Sequence, residues 1–258
     1  MIGVFDSGLG GLSVLAALVD ALPQADFTYF ADTAHVPYGN KSEAYIQQRV
    51  LAIGEHLVQG GCGLLVVACN TATAAAVQAL RAAHPGIEVI GIEPGIKPAA
   101  LASKSRRIAV LATEATARSA RLANLIRQHA AHVEVFVEAC PGWATQVETL
   151  KLDDPQLNAD IDARIRPLLE QGVDQLVLGC THYSFLAAHL GNIAGSQATL
   201  VDVADAVARQ TRKLAGKLAH GSGKITLQSS AHPARLHAAL PRLGLERIAA
   251  RIKPVSAV

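Results

Sequence analysis

Two short segments of the sequence each place a cysteine where a buried strand is expected to end and a polar turn to begin. The first reads LLVVACNTAT and contains Cys69, and the second reads QLVLGCTHYS and contains Cys180. Inverting a stereocentre by proton transfer needs an acid and a base on opposite faces of one carbon, and two thiols in matched settings could supply that pair. The spacing and the repeated setting therefore predict two half-sites that face one substrate.

The residues that follow Cys69 suit the binding of a carboxylate. In open α/β sheets, ligands bind at the carboxyl ends of strands, next to helix N-termini. Unpaired backbone N–H groups at such a terminus attract anions and favour a thiolate over a thiol. Asn70, Thr71 and Thr73 could add side-chain hydrogen bonds. The alternative is a buried structural cysteine followed by an ordinary helix cap, which the repetition at Cys180 disfavours.

His182 lies two residues beyond Cys180, with Thr181 between them. Its imidazole could orient the thiol, stabilise a thiolate or relay a proton. The alternative is a histidine that forms a hydrogen bond at the start of a helix. A zinc site is disfavoured because no CxxC or HExxH partner accompanies the Cys-x-His pattern, and we predict no metal ligands.

Asp6 and Ser7 follow the first apolar run and precede a glycine-rich turn. The turn matches neither GxGxxG nor GxxxxGK[ST], so it gives weak support to a nucleotide site. Asp6 could hold a substrate ammonium group or assist a thiol, or it could simply form an Asx turn or a helix cap. Both interpretations stay open on the sequence alone.

Tyr38 and Gly39 lie in a polar loop, ADTAHVPYGNKS, that follows the second apolar run. This loop could close over a small ligand, or it could serve loop architecture alone. Cys62 and Cys140 lack the strand–Cys–Thr setting, and we interpret both as structural.

Short apolar runs alternate with helical periodicity along the whole chain. Strands are predicted at residues 2–5, 27–31, 64–68, 89–92, 108–111, 133–137, 176–179, 199–201 and 225–227. Helices are predicted at residues 12–22, 42–59, 73–83, 115–129, 155–171 and 203–218. This alternation indicates βαβ units in an α/β fold with mainly parallel sheets, covered by helices on both faces.

The repeated cysteine motif divides the chain into two comparable halves. A segment rich in glycine and proline, GIEPGIKPAA, is a natural crossover between them. We predict one domain at residues 1–96 and a second at residues 97–205, with residues 206–258 returning to the first.

The composition excludes several classes of function. The 258 residues are 50% hydrophobic and 17% charged, and the net charge is only +2, which gives no electrostatic support for nucleic acid or an anionic membrane as partner. No apolar run is long enough to span a membrane, and no signal peptide is recognisable at the first residues. Four widely spaced cysteines favour free thiols in a reducing cytoplasm over a disulfide scaffold.

Taken together, these segments resemble the glutamate racemases of the cofactor-independent aspartate/glutamate racemase family, which supply D-glutamate for bacterial peptidoglycan. The resemblance is carried by five motifs in family order: GVFDSGLGGLSVL, YFADTAHVPYG, VVACNTATA, GIEPGIKPAA and LGCTHYS. The ACNTAT and GCTHY motifs are specific to this family, whereas the helices between them are not.

The resemblance implies two pseudosymmetric α/β domains with the active site in the cleft between them. It makes Cys69 and Cys180 the catalytic acid/base pair, assisted by Asp6 and His182, with Glu148 as an accessory acidic residue. It also implies a homodimer that acts on glutamate without a cofactor, and no lysine stands in a recognisable Schiff-base context. The substrate-binding residues that it implies are Ser7, Tyr38, Gly39, Asn70, Thr71, Thr73 and Thr181.

The chain departs from the family pattern at three positions. Ser184 replaces the usual proline after GCTHY, Leu122 replaces a usual tyrosine, and Glu93 is a less common residue before Pro94. Two alternative functions stay open: racemisation of another substrate, such as aspartate or a hydantoin, and non-catalytic binding of a small anion by two lobes with inert cysteines. A zinc hydrolase is the more distant alternative.

Overall fold

The computed structural model describes the backbone of residues 1–257 and the side chains of residues 1–252. The strands within these residues are β1 (Ile2–Asp6), β2 (Phe27–Ala31), β3 (Leu64–Val67), β4 (Glu88–Gly91), β5 (Arg107–Ala112), β6 (Glu134–Ala139), β7 (Gln175–Leu178), β8 (Thr199–Val201), β9 (Ile225–Ser229) and β10 (Ile252–Ala257).

Helices connect most of these strands. The α-helices are α1 (Leu12–Ala21), α2 (Glu43–Gln59), α3 (Asn70–Ala83), α4 (Ile96–Ala102), α5 (Glu114–Ala117), α6 (Ala120–His129), α7 (Trp143–Glu148), α8 (Pro155–Glu170), α9 (Ala187–Ala194), α10 (Ala204–Leu214), α11 (Pro233–Arg242) and α12 (Glu246–Ala249). Short 3-10 helices cover Tyr38–Asn40, Thr181–Leu186 and Gly216–Ala219. Among the described helices, none is long and apolar enough to cross a membrane.

The strands form two separate sheets in which neighbouring strands run parallel. The first has six strands in the order β10-β9-β2-β1-β3-β4, and the second has four in the order β6-β5-β7-β8. We call each sheet with the helices packed on it the first lobe and the second lobe. The order β2-β1-β3-β4 is repeated as β6-β5-β7-β8, so β3 and β7 occupy corresponding places. This repetition confirms the predicted pair of pseudosymmetric α/β units with parallel sheets.

The predicted domain boundaries are not fixed by the sheets alone. Strands of the first sheet come from residues 2–91 and 225–257, and strands of the second come from residues 107–201. Helix α10 packs against α1, which places it with the first lobe. A division of the chain near residues 96 and 206 stays a prediction.

Alternating residues of the strands face two different apolar layers. In the first lobe, Val4 and Val66 belong to the layer that contains α1, whereas Phe5 and Val67 belong to the layer that contains α2 and α3. All four side chains are buried. Strands buried on both faces explain why these runs are continuously apolar instead of alternating with polar residues.

Several elements differ from the sequence prediction, and helices α4, α7, α9, α11 and α12 lie outside the predicted helical segments. Strand β10 was not predicted, since its segment contains a proline, which is tolerated at the edge position that β10 occupies. The predicted helix at residues 115–129 is broken into α5 and α6, because Ser119 caps a new helix by accepting the N–H of Leu122 at 3.1 Å. The predicted helix at residues 203–218 ends at Leu214, and a 3-10 turn follows.

Candidate active site

Cys69 lies between the end of β3 and the first turn of α3. It is the N-cap residue of α3, and its sulfur accepts the backbone N–H of Ala72 at 3.5 Å. The side chain is almost fully buried. The free N–H groups at the start of a helix carry partial positive charge, so this position favours an anion at or near the sulfur.

Asp6 and Ser7 approach Cys69 from the end of β1, the strand next to β3. Asp6 Oδ1 accepts the backbone N–H of Gly8 at 2.7 Å and the hydroxyl of Ser7 at 3.2 Å. The Cys69 sulfur lies 3.9 Å from Ser7 Oγ. Asp6 is therefore connected to the thiol through Ser7, and no direct hydrogen bond joins the two side chains in the described contacts.

Cys180 occupies the corresponding place in the second lobe, just after β7. A 3-10 helix follows it, and the Cys180 sulfur does not cap this helix by accepting one of its backbone N–H groups. Instead, Cys180 Sγ lies 3.6 Å from Nδ1 of His182. The same helix is fixed by the buried Tyr183, whose hydroxyl donates to the Cys140 carbonyl at 3.0 Å and whose ring packs edge-on against Trp143.

His182 is connected on its other side to Glu148, at the end of α7. The distance from His182 Nε2 to Glu148 Oε1 is 2.5 Å, and the same oxygen accepts the backbone N–H of Leu9 at 2.6 Å. Leu9 belongs to the first lobe, so Glu148 connects the lobes. As an imidazolium, His182 donates to the sulfur and to the carboxylate at once.

The ionisable groups of the site have shifted pKa values. Burial lowers the pKa of His182, but its hydrogen bonds with Cys180 and Glu148 outweigh burial and raise the pKa well above its usual value. Burial is the main cause that raises the pKa of Asp6. Burial, followed by the nearby charge of Asp6, raises the pKa of Cys69. The site therefore favours a cationic His182 and a protonated Cys69.

Hydroxyl groups join the lobes on both sides of the thiols. Thr181 Oγ1 donates to Asp6 Oδ2 at 2.9 Å. Thr71 Oγ1 lies 3.0 Å from Thr113 Oγ1 and 3.2 Å from Thr116 Oγ1. These hydrogen bonds hold the lobes together around the cysteines.

Glycines allow the lobes to approach this closely. A Cβ atom at Gly8 would overlap the carboxylate of Glu148, and a Cβ atom at Gly10 would overlap the ring of His182. The glycine-rich turn after β1 therefore permits close contact with the second lobe.

Both thiols line one small pocket between the lobes. The cavity volume is about 20 Å³, which is room for about one water molecule. The lining residues are Ser7, Pro37, Tyr38, Gly39, Cys69, Asn70, Thr71, Thr113, Ala144, Cys180, Thr181 and His182. The structure thus brings together the cysteines and most of the residues that sequence reasoning had assigned to substrate binding.

Three predicted site residues lie outside the pocket lining. Asp6 is behind Ser7, and Glu148 is behind His182. Thr73 donates its hydroxyl to the Val67 carbonyl at 3.3 Å and does not line the pocket. A substrate contact by Thr73 stays a prediction, as do the roles of the other predicted site residues.

Asn70 differs from its neighbours because its side chain has no partner. It is 4% exposed, and neither amide atom has a hydrogen bond to any described residue. A buried amide without partners costs about 1–3 kcal/mol. A ligand that bonds to this amide in the pocket would recover that free energy.

Sequence reasoning missed four residues around the site: Asp32, Arg49, Thr113 and Thr116. Asp32 follows β2 and Thr113 follows β5, so each stands at the carboxyl end of a parallel strand, like the two cysteines. Applying the strand-end rule to every predicted strand would have found both. Arg49 and Thr116 lie inside helical patterns, where no local signal marks them.

The three departures from the family pattern lie away from the thiols. Ser184 donates its hydroxyl to Asp202 at 2.5 Å, and Leu122 is buried in the core of the second lobe. Glu93 forms an ion pair with Arg121. In the part of the chain that the structure describes, no group of His, Cys, Asp or Glu side chains is arranged to hold a metal ion.

Comparisons with known proteins agree with this geometry. A sequence profile described as Asp/Glu/Hydantoin racemase matches residues 2–211. The chain is 49% identical over 212 residues to a protein named glutamate racemase from Methylococcus capsulatus, covering 82% of this chain and 78% of that one. It is 44% identical over 246 residues to the glutamate racemase of Pseudomonas aeruginosa strain UCBPP-PA14, covering 94% and 93%.

A solved structure extends the likeness to the whole fold. The crystal structure of a glutamate racemase isoform from Bacillus anthracis superposes with a TM-score of 0.88 at 31% identity, covering 100% of this chain and 97% of that one. The profile match spans well over half of the residues and includes both cysteines. The chain therefore belongs to the Asp/Glu/Hydantoin racemase family.

Proposed function

We propose that this protein interconverts L-glutamate and D-glutamate by proton transfer at Cα and so supplies D-glutamate for peptidoglycan synthesis. The observation that carries the proposal is the pair of thiols, Cys69 and Cys180, at the ends of corresponding strands and in one pocket. The choice of glutamate rests on the names of the similar proteins.

The reaction moves one proton across the pocket. For L-glutamate, the thiolate of Cys180 removes the α-proton, and the electron pair of the C–H bond stays on the substrate. The thiol of Cys69 then gives its proton to the opposite face, which leaves a thiol at Cys180 and a thiolate at Cys69. For D-glutamate the roles reverse. This assignment of faces rests on the family resemblance.

The surroundings of the two thiols support the starting state for L-glutamate. The cationic His182 lies 3.6 Å from the sulfur of Cys180, whereas burial and the carboxylate of Asp6 disfavour a thiolate at Cys69. Cys69, which must donate a proton to the substrate, is therefore protonated at the start of the reaction with L-glutamate. No cofactor is needed for a proton transfer between two side chains and carbon.

Acid–base catalysis by the thiols is not sufficient by itself. One positioned acid or base contributes about 10²–10⁴-fold, so the transition state needs further stabilisation. The substrate carboxylate gains negative charge as the α-proton leaves. Backbone N–H groups at the start of α3, together with the partnerless amide of Asn70, are placed to bond to it.

The lobes must separate for glutamate to enter. The cavity has room for about one water molecule, whereas glutamate is several times larger. Opening would break cross-lobe hydrogen bonds such as the one from Thr181 to Asp6, and closure would restore them and exclude water. We propose this cycle of opening and closure as part of turnover.

We further propose a cytoplasmic homodimer with the domain division predicted above. The family resemblance supports the homodimer, and the exposed apolar side chains Leu101 (71%) and Val137 (40%) offer apolar surface on the second lobe. Four free cysteines suit a reducing compartment. Light scattering after gel filtration would test the dimer, and a monomer at micromolar concentration would contradict it.

The experiment that tests the function is incubation of the purified protein with L-glutamate in D₂O, with chelator and no cofactor. We expect optical rotation to vanish while deuterium enters at Cα. NMR of the α-proton measures the deuterium incorporation. Exchange without loss of rotation would mean that one face alone reacts. A parallel series with aspartate and a hydantoin tests specificity, and faster turnover of either would contradict the assignment to glutamate.

A further inference from the structure

The loop between β2 and α2 forms the roof of the thiol pocket. We call residues 32–41 the strap. Pro37, Tyr38 and Gly39 of the strap line the pocket that holds both thiols. A Cβ atom at Gly39 would lie 3.1 Å from Cβ of Thr113, so the strap of the first lobe rests against the second lobe. Its position therefore decides how closely the pocket fits a substrate.

A buried carboxylate stands at the root of the strap. Asp32 is 0% exposed, and its backbone N–H donates to the carbonyl of Asp6 at 3.0 Å. The hydroxyl of Tyr38 donates to Asp32 Oδ2 at 2.5 Å. Asp32 thus connects the pocket-lining Tyr38 to the end of β1, where the residues that assist Cys69 begin.

Arg49, in the second turn of α2, neutralises this carboxylate. Its Nε donates to Asp32 Oδ2 at 3.0 Å, and its Nη2 donates to Oδ1 at 2.8 Å. A planar guanidinium that holds both oxygens fixes the orientation of the carboxylate, which an ammonium group cannot do. With Oδ2 oriented in this way, the position of the Tyr38 hydroxyl is fixed too.

We propose that Arg49 is a positioning residue for racemisation, which holds Tyr38 and the strap over the two thiols by orienting Asp32. Arg49 does not line the pocket, so it acts through Asp32 and Tyr38 alone. The expected effect on catalysis rests on the proposed function. The position of the strap can be tested without turnover.

The first test is a double-mutant cycle on kcat/KM for L-glutamate. Misplacing a pocket residue by about 1 Å can cost about 10²-fold, and we expect a loss of that size for Arg49→Met. Because Arg49 acts through Tyr38, adding Arg49→Met to Tyr38→Phe is expected to cost less than about threefold more. Independent losses that multiply in the double variant would overturn the proposal.

The second test is alkylation of Cys69 by iodoacetamide in the absence of substrate, followed by peptide mapping. A loosened strap uncovers Cys69, so Arg49→Met should raise the rate several-fold at a temperature where circular dichroism shows a folded protein. The matched control is Arg166→Met, which removes an exposed arginine from its ion pair with Asp162 on α8. The control should leave both the alkylation rate and kcat/KM unchanged.

A folded Arg49→Met protein with normal alkylation and normal kcat/KM would overturn the proposal. If this variant does not fold, Arg49→Lys keeps a cation beside Asp32 without the bidentate contact, and about a tenfold loss of kcat/KM with faster alkylation is expected. An unaffected Arg49→Lys protein would then count against the proposal. Absence of racemisation by the unaltered protein would contradict the proposed function instead, and the alkylation test would still decide the role of Arg49.

Discussion

The two lobes place a thiol at the same point of the same strand order and then surround it differently. Cys69 caps a 14-residue α-helix and receives a backbone N–H from Ala72. Cys180 precedes a 3-10 helix without such a contact, and it receives the imidazole of His182 instead. The repeated fold supplies the positions, and the local sequence after each cysteine supplies the chemistry.

This difference has a functional meaning for a reaction whose two directions are mirror images. The second lobe provides a mobile proton site next to Cys180, connected onward to Glu148. In the first lobe, burial and the nearby carboxylate of Asp6 keep the proton on Cys69, and they outweigh the backbone N–H of Ala72, which favours a thiolate. The proposed two-base mechanism needs one thiol and one thiolate at rest, and unequal surroundings are a direct way to obtain them.

The largest expected effect comes from removing either thiol. Cys69→Ala and Cys180→Ala should each lower racemisation at least about 10³-fold, because in each variant one face of the substrate lacks its acid or base. Polarimetry with L-glutamate measures the loss. Near-normal turnover in either variant would remove the basis for the two-base mechanism.

The next largest effect is expected from changing His182, the residue in contact with Cys180, while the thiol itself is kept. His182→Asn removes the cation beside the sulfur and should lower kcat/KM about 10²-fold. Both enantiomers have equal free energy in water, so kcat/KM must fall equally for L- and D-glutamate. Circular dichroism of the two progress curves checks this equality. Alkylation of Cys180 at pH 7 should also slow, and an unchanged rate would show that His182 does not stabilise the thiolate.

Asp6→Asn should speed the alkylation of Cys69, whereas His182→Asn should slow that of Cys180. The charge of Asp6 is one cause of the raised pKa of Cys69, after burial. Losing that charge increases the thiolate fraction, so alkylation of Cys69 at pH 8 should become several-fold faster. In the unaltered protein, the rate should rise about tenfold per pH unit up to pH 9, because only the thiolate reacts. Slower alkylation in Asp6→Asn would contradict this assignment.

The smallest effect concerns Cys62, a thiol near the opposite end of β3 from Cys69. Burial raises the pKa of Cys62 from 9.0 to about 11. The folded state therefore holds this proton more tightly than the unfolded state, and the resulting stabilisation is present below pH 9 and is lost as the pH rises to 11. Cys62→Ala should leave racemisation unchanged.

The same variant should also weaken the pH dependence of stability. Between pH 9 and 11, the slope of the unfolding free energy should become shallower by up to about 1.4 kcal/mol per pH unit. Urea unfolding at several pH values measures this slope. An unchanged slope would place the alkaline transition on other thiols, and a loss of racemisation would contradict the structural interpretation of Cys62.

The sequence was sufficient for the features that depend on local pattern. Apolar runs predicted nine of the strands, and the runs of the central strands β1, β3 and β7 are continuous because these strands are buried on both faces. The thiols, His182 and the glycine-rich turn stood out because they follow such runs directly. Strand β10 was missed because its segment contains a proline, which is uncommon inside strands and is tolerated at a sheet edge.

The missed parts of the site depend on the tertiary structure. The bidentate contact of Arg49 with Asp32 forms when α2 packs beside β2, and no local signal announces it. Glu148 entered through the family resemblance alone, because its contact with His182 requires α7 to lie next to the strand end of β7. The hydroxyl of Thr73 bonds to a carbonyl two residues before Cys69, which the motif by itself does not show.

The first sheet needs strands from two distant stretches of chain, since β9 pairs along the whole length of β2. The ribosome releases a chain from its first residue onward, so the whole second sheet emerges before β9 does. Until then β2 is an open edge, ready to pair with another nascent chain. The segment that carries β9 therefore acts as a safeguard against aggregation, because it covers the edge of β2 that the earlier part of the chain has left exposed.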